Sequence, residues 1–219
     1  MINIKLNKEL DYEIYKNFWD FKVAGVDFGV NIKRHHPEIN LENYREYIDK
    51  FYADNQEVLD KSCGEINQLI SKKQDAFFQA LSGLFKMDFS NHNYVGYISI
   101  FDCNPRYVES KTFQIFYKKD LLYKLEVVFH EIMHFAFFDY CDKYLSEEIK
   151  DLDKNSGKLW ELSEIFNVIT LNLPEFRVLT EREEKLYYTD LAKKLEIAKQ
   201  VWVKSNSDMT NFIKESLLI

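Results

Sequence analysis

The feature that most constrains this chain is the pentapeptide His130-Glu131-Ile132-Met133-His134, which lies within an apolar run from 121 to 138. Neither Pro nor Gly interrupts residues 111 to 156, so the run after Asp120 is predicted to be a long helix that is apolar on most sides. Residues four apart stack on one helical face, and both imidazoles would therefore point at one spot. Two histidines and a glutamate are costly to bury unless they are paired or bound to a metal.

An H-E-x-x-H pattern on a helix supplies two nitrogen ligands for one Zn²⁺ ion, here from His130 and His134. Glu131, beside the first histidine, is the predicted catalytic base, because a carboxylate there can hold and deprotonate a water molecule on the metal. The motif therefore predicts a zinc-dependent hydrolase. In the alternative, structural interpretation, backbone carbonyls satisfy both histidines and Glu131 lies on the surface.

A catalytic zinc site usually has three protein ligands and one position for water, so a third ligand must come from elsewhere. The metzincin pattern would need Gly at position 137 and His or Asp at position 140, where this chain has Phe137 and Tyr140. The other possibility is a glutamate on a following helix. The predicted helix at 158–171 offers Glu161 and Glu164 on neighbouring sides, and either residue could complete the site.

The segment Ser163-Glu164-Ile165-Phe166-Asn167 resembles the third-ligand segment of the gluzincins, the thermolysin-like branch of the zinc metallopeptidases. That family completes its zinc site with a glutamate in a helical segment such as N-E-x-x-S-D. The resemblance, which covers roughly residues 94 to 170, implies that Glu164 is the third ligand beside the two histidines. It also implies that Asn167, one residue earlier than the corresponding polar position, holds a zinc histidine by its other ring nitrogen.

Gly and Pro are scarce, with 6 and 3 residues, which favours helices joined by short connections. With the resemblance, this predicts an α+β, mainly helical zincin-like fold in which a small β-sheet precedes the motif helix. Residues 1–90 are the predicted N-terminal helical subdomain and 91–219 the zincin-like catalytic domain, together one compact unit. Aromatic and β-branched residues predict strands at 94–101 and 111–117. Besides the motif helix, the predicted helices span 41–52, 56–84, 158–171 and 181–204.

Three shorter segments complete the predicted organisation. In the gluzincin resemblance the strand at 111–117 would present a free edge, to which an extended peptide could add by main-chain hydrogen bonds; an ordinary amphipathic strand is the alternative. His35 and His36 precede Pro37 and are predicted to be exposed, non-catalytic residues of a loop. Ser90-Asn91-His92-Asn93 is a predicted turn.

Charge, cysteine content and hydropathy exclude several classes of partner. The net charge of −7 argues against a general affinity for nucleic acid or anionic lipid. The 3 cysteines are widely spaced and form no C-x-x-C pair, which fits reduced thiols in a cytoplasmic protein rather than a disulfide framework or a cysteine zinc site. The first residues lack an apolar signal core, and no uncharged apolar stretch of about 20 residues is present to span a membrane.

These features together predict a zinc metallopeptidase that acts on a peptide or protein substrate, with no nucleic-acid or membrane partner and no oligomeric state specified. Two alternatives stay open at this point. One is a zinc-binding regulatory or interaction protein that has lost turnover. The other is an amide or ester hydrolase with a non-peptide substrate, because the choice of substrate depends on pocket shape rather than on the motif.

Overall fold

The computed structural model describes residues 1–89, 91–206 and 208–219, which form an α+β protein that is mainly helical. Ser90, the first residue of the predicted turn, lies outside the described residues. The first half contains β1 (Ile2–Leu6), α1 (Lys8–Phe18), β2 (Lys22–Val23), β3 (Val26–Asp27), α2 (Phe28–His35), α3 (Tyr44–Phe85), β4 (Tyr94–Ser99), β5 (Arg106–Tyr107) and β6 (Thr112–Phe116). It is followed by α4 (Leu121–Tyr144), α5 (Ser146–Ile149), α6 (Gly157–Leu171), α7 (Pro174–Thr180), a 3₁₀ turn (Thr189–Leu191), α8 (Ala192–Ser205) and α9 (Met209–Ser216).

The described residues group into two compact units, and each unit is assembled from separate stretches of the chain. The first unit comprises Met1–Asp75 and His92–Val128, and the second comprises Ala76–Asn91 and Phe129–Ile219. Helices α3 and α4 each contribute residues to both units. Whether the predicted parts 1–90 and 91–219 behave as a subdomain and a catalytic domain stays a prediction.

The first unit contains a four-stranded mixed sheet in the order β1-β4-β6-β5, in which only β5 is antiparallel to its neighbour. The two predicted strands are confirmed as β4 and β6. Strand β1 was not predicted; Ile2 and Ile4 are buried, while Asn3 and Lys5 are exposed. A glycine at position 96 lets β1 and β6 approach β4, because a Cβ there would lie 2.6 Å from the Ile4 Cδ1 atom and 2.8 Å from a Phe113 ring carbon.

The outer side of β6 is already used by the chain itself. Its partner β5 pairs with Thr112 and Phe113. Further along, the Gln114 N–H donates to the Pro105 carbonyl at 2.9 Å and the Phe116 N–H to the Asn104 side chain at 2.9 Å. The prediction of a free edge for an incoming peptide is therefore wrong for this strand, because the amides that a peptide would pair with already have acceptors.

The motif helix and the helix predicted at 158–171 are confirmed as α4 and α6, whereas the other predicted helices differ from the structure in two ways. The predicted helices 41–52 and 56–84 form one element, α3, which is interrupted at Asn55 by non-helical angles (φ −121°, ψ 16°). The Asn55 side chain donates to the Phe51 carbonyl at 2.9 Å, a local bond that competes with helical pairing. The helix predicted at 181–204 begins only at Ala192, because Glu181 has φ 58° and ends α7 in the left-handed region.

A buried carboxylate joins three elements of the first unit. Asp11 on α1 is 1% exposed and accepts hydrogen bonds from the Ser99 hydroxyl at 2.6 Å, the Tyr52 hydroxyl at 2.7 Å and the Ile100 N–H at 3.1 Å. Burial raises the pKa of Asp11 to about 6, although the three donors act in the opposite direction. The carboxylate thus links α1 to α3 and to the end of β4.

Titration of Asp11 should make the folded state less stable as the pH rises. Its folded pKa of about 6 lies above the ordinary value of 3.8, so its contribution is complete below about pH 4 and is lost as the pH rises through the folded pKa. The shift corresponds to about 3 kcal/mol of unfolding free energy. Urea unfolding of the wild type and of Asp11→Asn across this range should give stability curves that diverge by that amount. Parallel curves would contradict the assignment.

His36 differs from its prediction as an exposed loop residue. Its side chain is fully buried; Nε2–H donates to the Ile100 carbonyl at 2.7 Å and Nδ1 accepts from the Tyr47 hydroxyl at 3.0 Å. Burial lowers the pKa of His36 to about 4, so the ring is neutral and structural. His35 is the last residue of α2 and is only partly exposed, with Asp102 at 3.9 Å. Both histidines therefore belong to the packing of the first unit.

None of the helices in the described part of the chain combines the length and the apolar character that crossing a membrane requires.

Candidate metal centre

Helices α4 and α6 bring three potential metal ligands together in the second unit. His130 and His134 lie one turn apart on α4, with their Nε2 atoms 3.0 Å apart. Glu164 on α6 is 3% exposed; its Oε2 lies 3.5 Å from the His130 Nε2 and its Oε1 lies 3.4 Å from the His134 Nε2. The ligand atoms of the three residues lie within 4.8 Å of one another, so this group could hold a metal ion.

The spacing of the three side chains is compatible with a small tetrahedral ion. With metal–nitrogen and metal–oxygen bonds of about 2.0–2.1 Å, tetrahedral geometry separates two ligand atoms by roughly 3.3–3.4 Å. The two imidazole nitrogens are 3.0 Å apart, and Glu164 brings one oxygen to 3.5 Å from the His130 Nε2 and its other oxygen to 3.4 Å from the His134 Nε2, so each pair of groups is close to that separation. Two imidazoles and one carboxylate would take three corners, and the group found among the described residues contributes no fourth ligand.

Burial and charge make the group favourable for a cation. His134 is 0% exposed, whereas the side chain of His130 keeps 18% of its surface accessible. Burial lowers the pKa of His130, but the charges of Glu184 and Glu131 and the hydrogen bonds that the ring donates to Glu184 and Glu164 outweigh it, and the pKa is raised well above its ordinary value. The same negative field that favours a proton on this ring would favour a bound cation.

Glu131 is also buried, with 4% of its surface exposed. It follows His130 directly on α4 and is not one of the three grouped ligands. The structural interpretation in which Glu131 lies on the surface therefore does not apply. Its burial beside a potential metal ligand is compatible with the predicted role as catalytic base, which stays a prediction.

The two candidate glutamates of α6 have different surroundings. Glu164 lies against both histidines, as described above. Glu161 forms an ion pair with Lys194 of α8, with 2.7 Å between its Oε2 and the lysine Nζ, and its side chain is 27% exposed. Among the described residues, the group that could hold a metal contains Glu164 and not Glu161.

Asn167 contacts His130 through the backbone carbonyl of that residue, and not through the ring nitrogen that the gluzincin resemblance implies. Its Nδ2 donates to the backbone carbonyl of His130 at 2.8 Å. The implied role is therefore wrong in its detail, and the earlier position of this residue in the helix is consistent with the difference. The bond ties α6 to the motif helix at the residue that carries the first imidazole.

The Nδ1 atom of the His130 ring is held instead by Glu184, a residue that the sequence did not mark as part of the site. The Glu184 Oε1 lies 3.0 Å from the His130 Nδ1. Glu184 lies in the non-helical segment between α7 and the 3₁₀ turn, which had been predicted as the start of a helix. Nothing local in the sequence marks Glu184 as a site residue, because it lies in the charged run Glu181-Arg182-Glu183-Glu184-Lys185, which is typical of a solvent-exposed segment.

Comparison with protein-family models, with curated proteins and with solved structures finds no match for this chain. The gluzincin resemblance is therefore carried only by the residues of the motif helix and of α6. Any statement about function has to be argued from the geometry of the site itself.

Proposed function

We propose that this protein is a zinc-dependent hydrolase, and specifically a gluzincin-type metallopeptidase with a zincin-like fold that cleaves peptide bonds in a peptide or protein substrate. The observation that carries the proposal is the grouping of His130, His134 and Glu164, whose ligand atoms all lie within 4.8 Å of one another, with one oxygen of the Glu164 carboxylate near each imidazole. The buried carboxylate of Glu131, next to His130 in the chain, adds the group that hydrolysis needs.

Zinc is the metal that this set of ligands suits best. Two imidazole nitrogens and one carboxylate form a His₂Glu set, which is a recurrent ligand set of catalytic zinc. Magnesium and calcium prefer sites built entirely from oxygen atoms, and they usually bind more ligands than three side chains supply. His130, His134 and Glu164 would hold the ion, and the fourth position would stay available to water or substrate.

The chemistry divides between the ion and the chain. When bound, zinc would supply Lewis acidity, which polarises the scissile carbonyl and lowers the pKa of a water molecule. Glu131 takes a proton from the attacking water and later delivers it to the leaving amine. The burial of His134 and Glu164 keeps bulk water from competing for the ligand atoms on that side of the group.

The number of ligands favours an enzyme over a purely structural zinc site. Structural sites usually close the metal with four protein ligands, often cysteines. Here the described residues supply three, and the neighbouring carboxylate of Glu131 is buried without being one of them. A zinc-binding regulatory protein does not need a carboxylate at that position to bind the ion. This contrast supports turnover, which the peptide assay below tests.

The purified chain should contain about one zinc ion, because its three ligands converge on a single point. Elemental analysis before and after dialysis against a chelator, and again after reconstitution, measures this stoichiometry. Zinc should return on reconstitution, and the thermal midpoint should rise with it, because a ligand that binds only the folded state stabilises that state. A chain that takes up no zinc after reconstitution would refute the proposal.

Cleavage of a peptide library by the zinc-loaded protein separates the peptidase from its alternatives. New amino termini that appear with zinc and vanish with a chelator would support the metallopeptidase. Hydrolysis of simple amides or esters without any peptide cleavage would assign a non-peptide substrate. A zinc-loaded chain that cleaves none of these substrates would favour a binding protein without turnover.

A further inference from the structure

We propose that Glu184 is a positioning residue of the metal centre, which orients the His130 ring for binding zinc and raises the affinity of the site. The inference rests on the proposed function, since it concerns the same site. Glu184 lies 20 residues beyond Glu164 in the sequence, on the segment that follows α7. This segment is covered neither by the motif nor by the gluzincin resemblance, which extends only to about residue 170.

The first step is the contact between the carboxylate and the ring. The Glu184 Oε1 lies 3.0 Å from the His130 Nδ1, so the ring donates its Nδ1 proton to the carboxylate. In the neutral ring that binds a metal, the other nitrogen, Nε2, then carries the lone pair, and it is the atom that faces His134 and Glu164. A carboxylate behind a ligating histidine fixes both the tautomer and the orientation of the ring, and it makes the ring a stronger donor.

The second step is that Glu184 is itself held in place. The Asn172 side chain pairs with its backbone on both sides: Asn172 Nδ2 donates to the Glu184 carbonyl at 2.9 Å, and the Glu184 N–H donates to Asn172 Oδ1 at 3.1 Å. The remaining Nδ2 hydrogen of Asn172 is used by the Val168 carbonyl at 2.7 Å. The Asn172 side-chain amide thus satisfies both backbone groups of Glu184, as a neighbouring β-strand would do. The Glu184 side chain, 10% exposed, has little freedom to leave the ring.

The third step is that one helix organises the whole arrangement. Helix α6 carries Glu164, which faces both histidines, and Asn167, which holds the backbone of the motif helix. Its last turn leads into Asn172, which fixes Glu184. Helix α6 and its C-cap residue therefore fix the position of three parts of the site: Glu164, the motif helix and Glu184. Such support is what a metal site needs to keep its ligands in register.

The test compares zinc affinity in Glu184→Ala and Glu184→Gln with that in Glu183→Ala. Glu183 is the neighbouring glutamate and is exposed, which makes it a matched control for the loss of one charge. Competition against a chromogenic chelator gives the zinc dissociation constant without relying on activity. Glu184→Ala should weaken binding by about 10- to 100-fold, and Glu184→Gln, which keeps an acceptor oxygen, should weaken it less. Glu183→Ala should stay within about twofold of the wild type.

Two further measurements separate positioning from a general loss of structure. The metal-free variants should unfold at temperatures close to that of the wild type, and the visible spectrum of the Co²⁺-substituted site should shift in Glu184→Ala but not in Glu183→Ala. Asn172→Ala should weaken zinc binding in the same direction. If Asn172 acts through Glu184, the double variant Asn172→Ala/Glu184→Ala should bind no more weakly than Glu184→Ala alone.

Equal zinc affinities and equal Co²⁺ spectra in Glu184→Ala and Glu183→Ala would overturn the assignment of Glu184. Additive losses in the double variant would overturn the part assigned to Asn172. A wild-type chain that binds no zinc would instead refute the proposed function together with this inference, so the two failures can be told apart.

Discussion

Glu131→Gln should slow hydrolysis by orders of magnitude while zinc stays bound. The substitution keeps the size of the side chain and removes its ability to accept a proton, so the attacking water loses its base. We expect turnover to fall by about 10²- to 10⁴-fold, the range that a positioned general base contributes. The zinc content should not change, because Glu131 is not among the three residues that group around the ion. Initial rates on a cleaved peptide, with elemental analysis of the same sample, measure both quantities.

A matched control for this experiment is Glu161→Gln, which changes another glutamate of the second unit that is paired with Lys194 rather than with the histidines. Its rate should stay close to that of the wild type. Hydrolysis that survives Glu131→Gln would show that another group activates the water, and the proposed mechanism would be wrong. Loss of zinc in Glu131→Gln would show that Glu131 supports the metal, which the described geometry does not predict.

Local patterns in the sequence predict the elements whose residues are close together in the chain. The spacing of His130 and His134 defines a helical face without any knowledge of the tertiary structure. Strands β4 and β6 were predicted from their aromatic and β-branched residues. Strand β1 follows the same alternation, but it has only five residues, and its partner β4 begins at Tyr94. A short strand whose pairing partner is so distant in sequence gives little local signal.

The parts of the site that were missed depend on tertiary contacts. Glu184 belongs to a run of charges that local rules assign to an exposed helix, but Glu181, the first residue of that run, has left-handed backbone angles and ends α7. Position within α6 also decides what Asn167 can reach, and it contacts a backbone carbonyl rather than a ring. His36 shows the same effect in the first unit: the rule that places histidines before a proline in exposed loops failed, because Tyr47 and Ile100 enclose the ring.

The identity of the third metal ligand depends on both the sequence and the structure. The spacing of Glu161 and Glu164 does not decide which of them is the ligand, since they lie on neighbouring sides of the same helix. The gluzincin resemblance favours Glu164, and the structure places Glu164, with 3% exposure, against both histidines. Glu161 instead has a cationic partner in Lys194 and partial contact with solvent. The carboxylate of Glu164 has the burial and the neighbours that a metal ligand requires.

Glu164→Ala should therefore lose zinc, and Glu161→Ala should not. Removing a direct ligand leaves two imidazoles, so we expect the zinc dissociation constant to rise by more than about 100-fold, beyond the usual effect of a residue that only supports a ligand. Glu161→Ala breaks one partly exposed ion pair, which costs about 0–1 kcal/mol of stability and should leave zinc affinity within about twofold of the wild type. Chelator competition on both variants, with thermal unfolding of the metal-free proteins as a control for folding, measures the difference. The reverse order of affinities would move the third ligand to Glu161 and would require α6 to turn about its axis, because in the described structure only Glu164 faces the histidines.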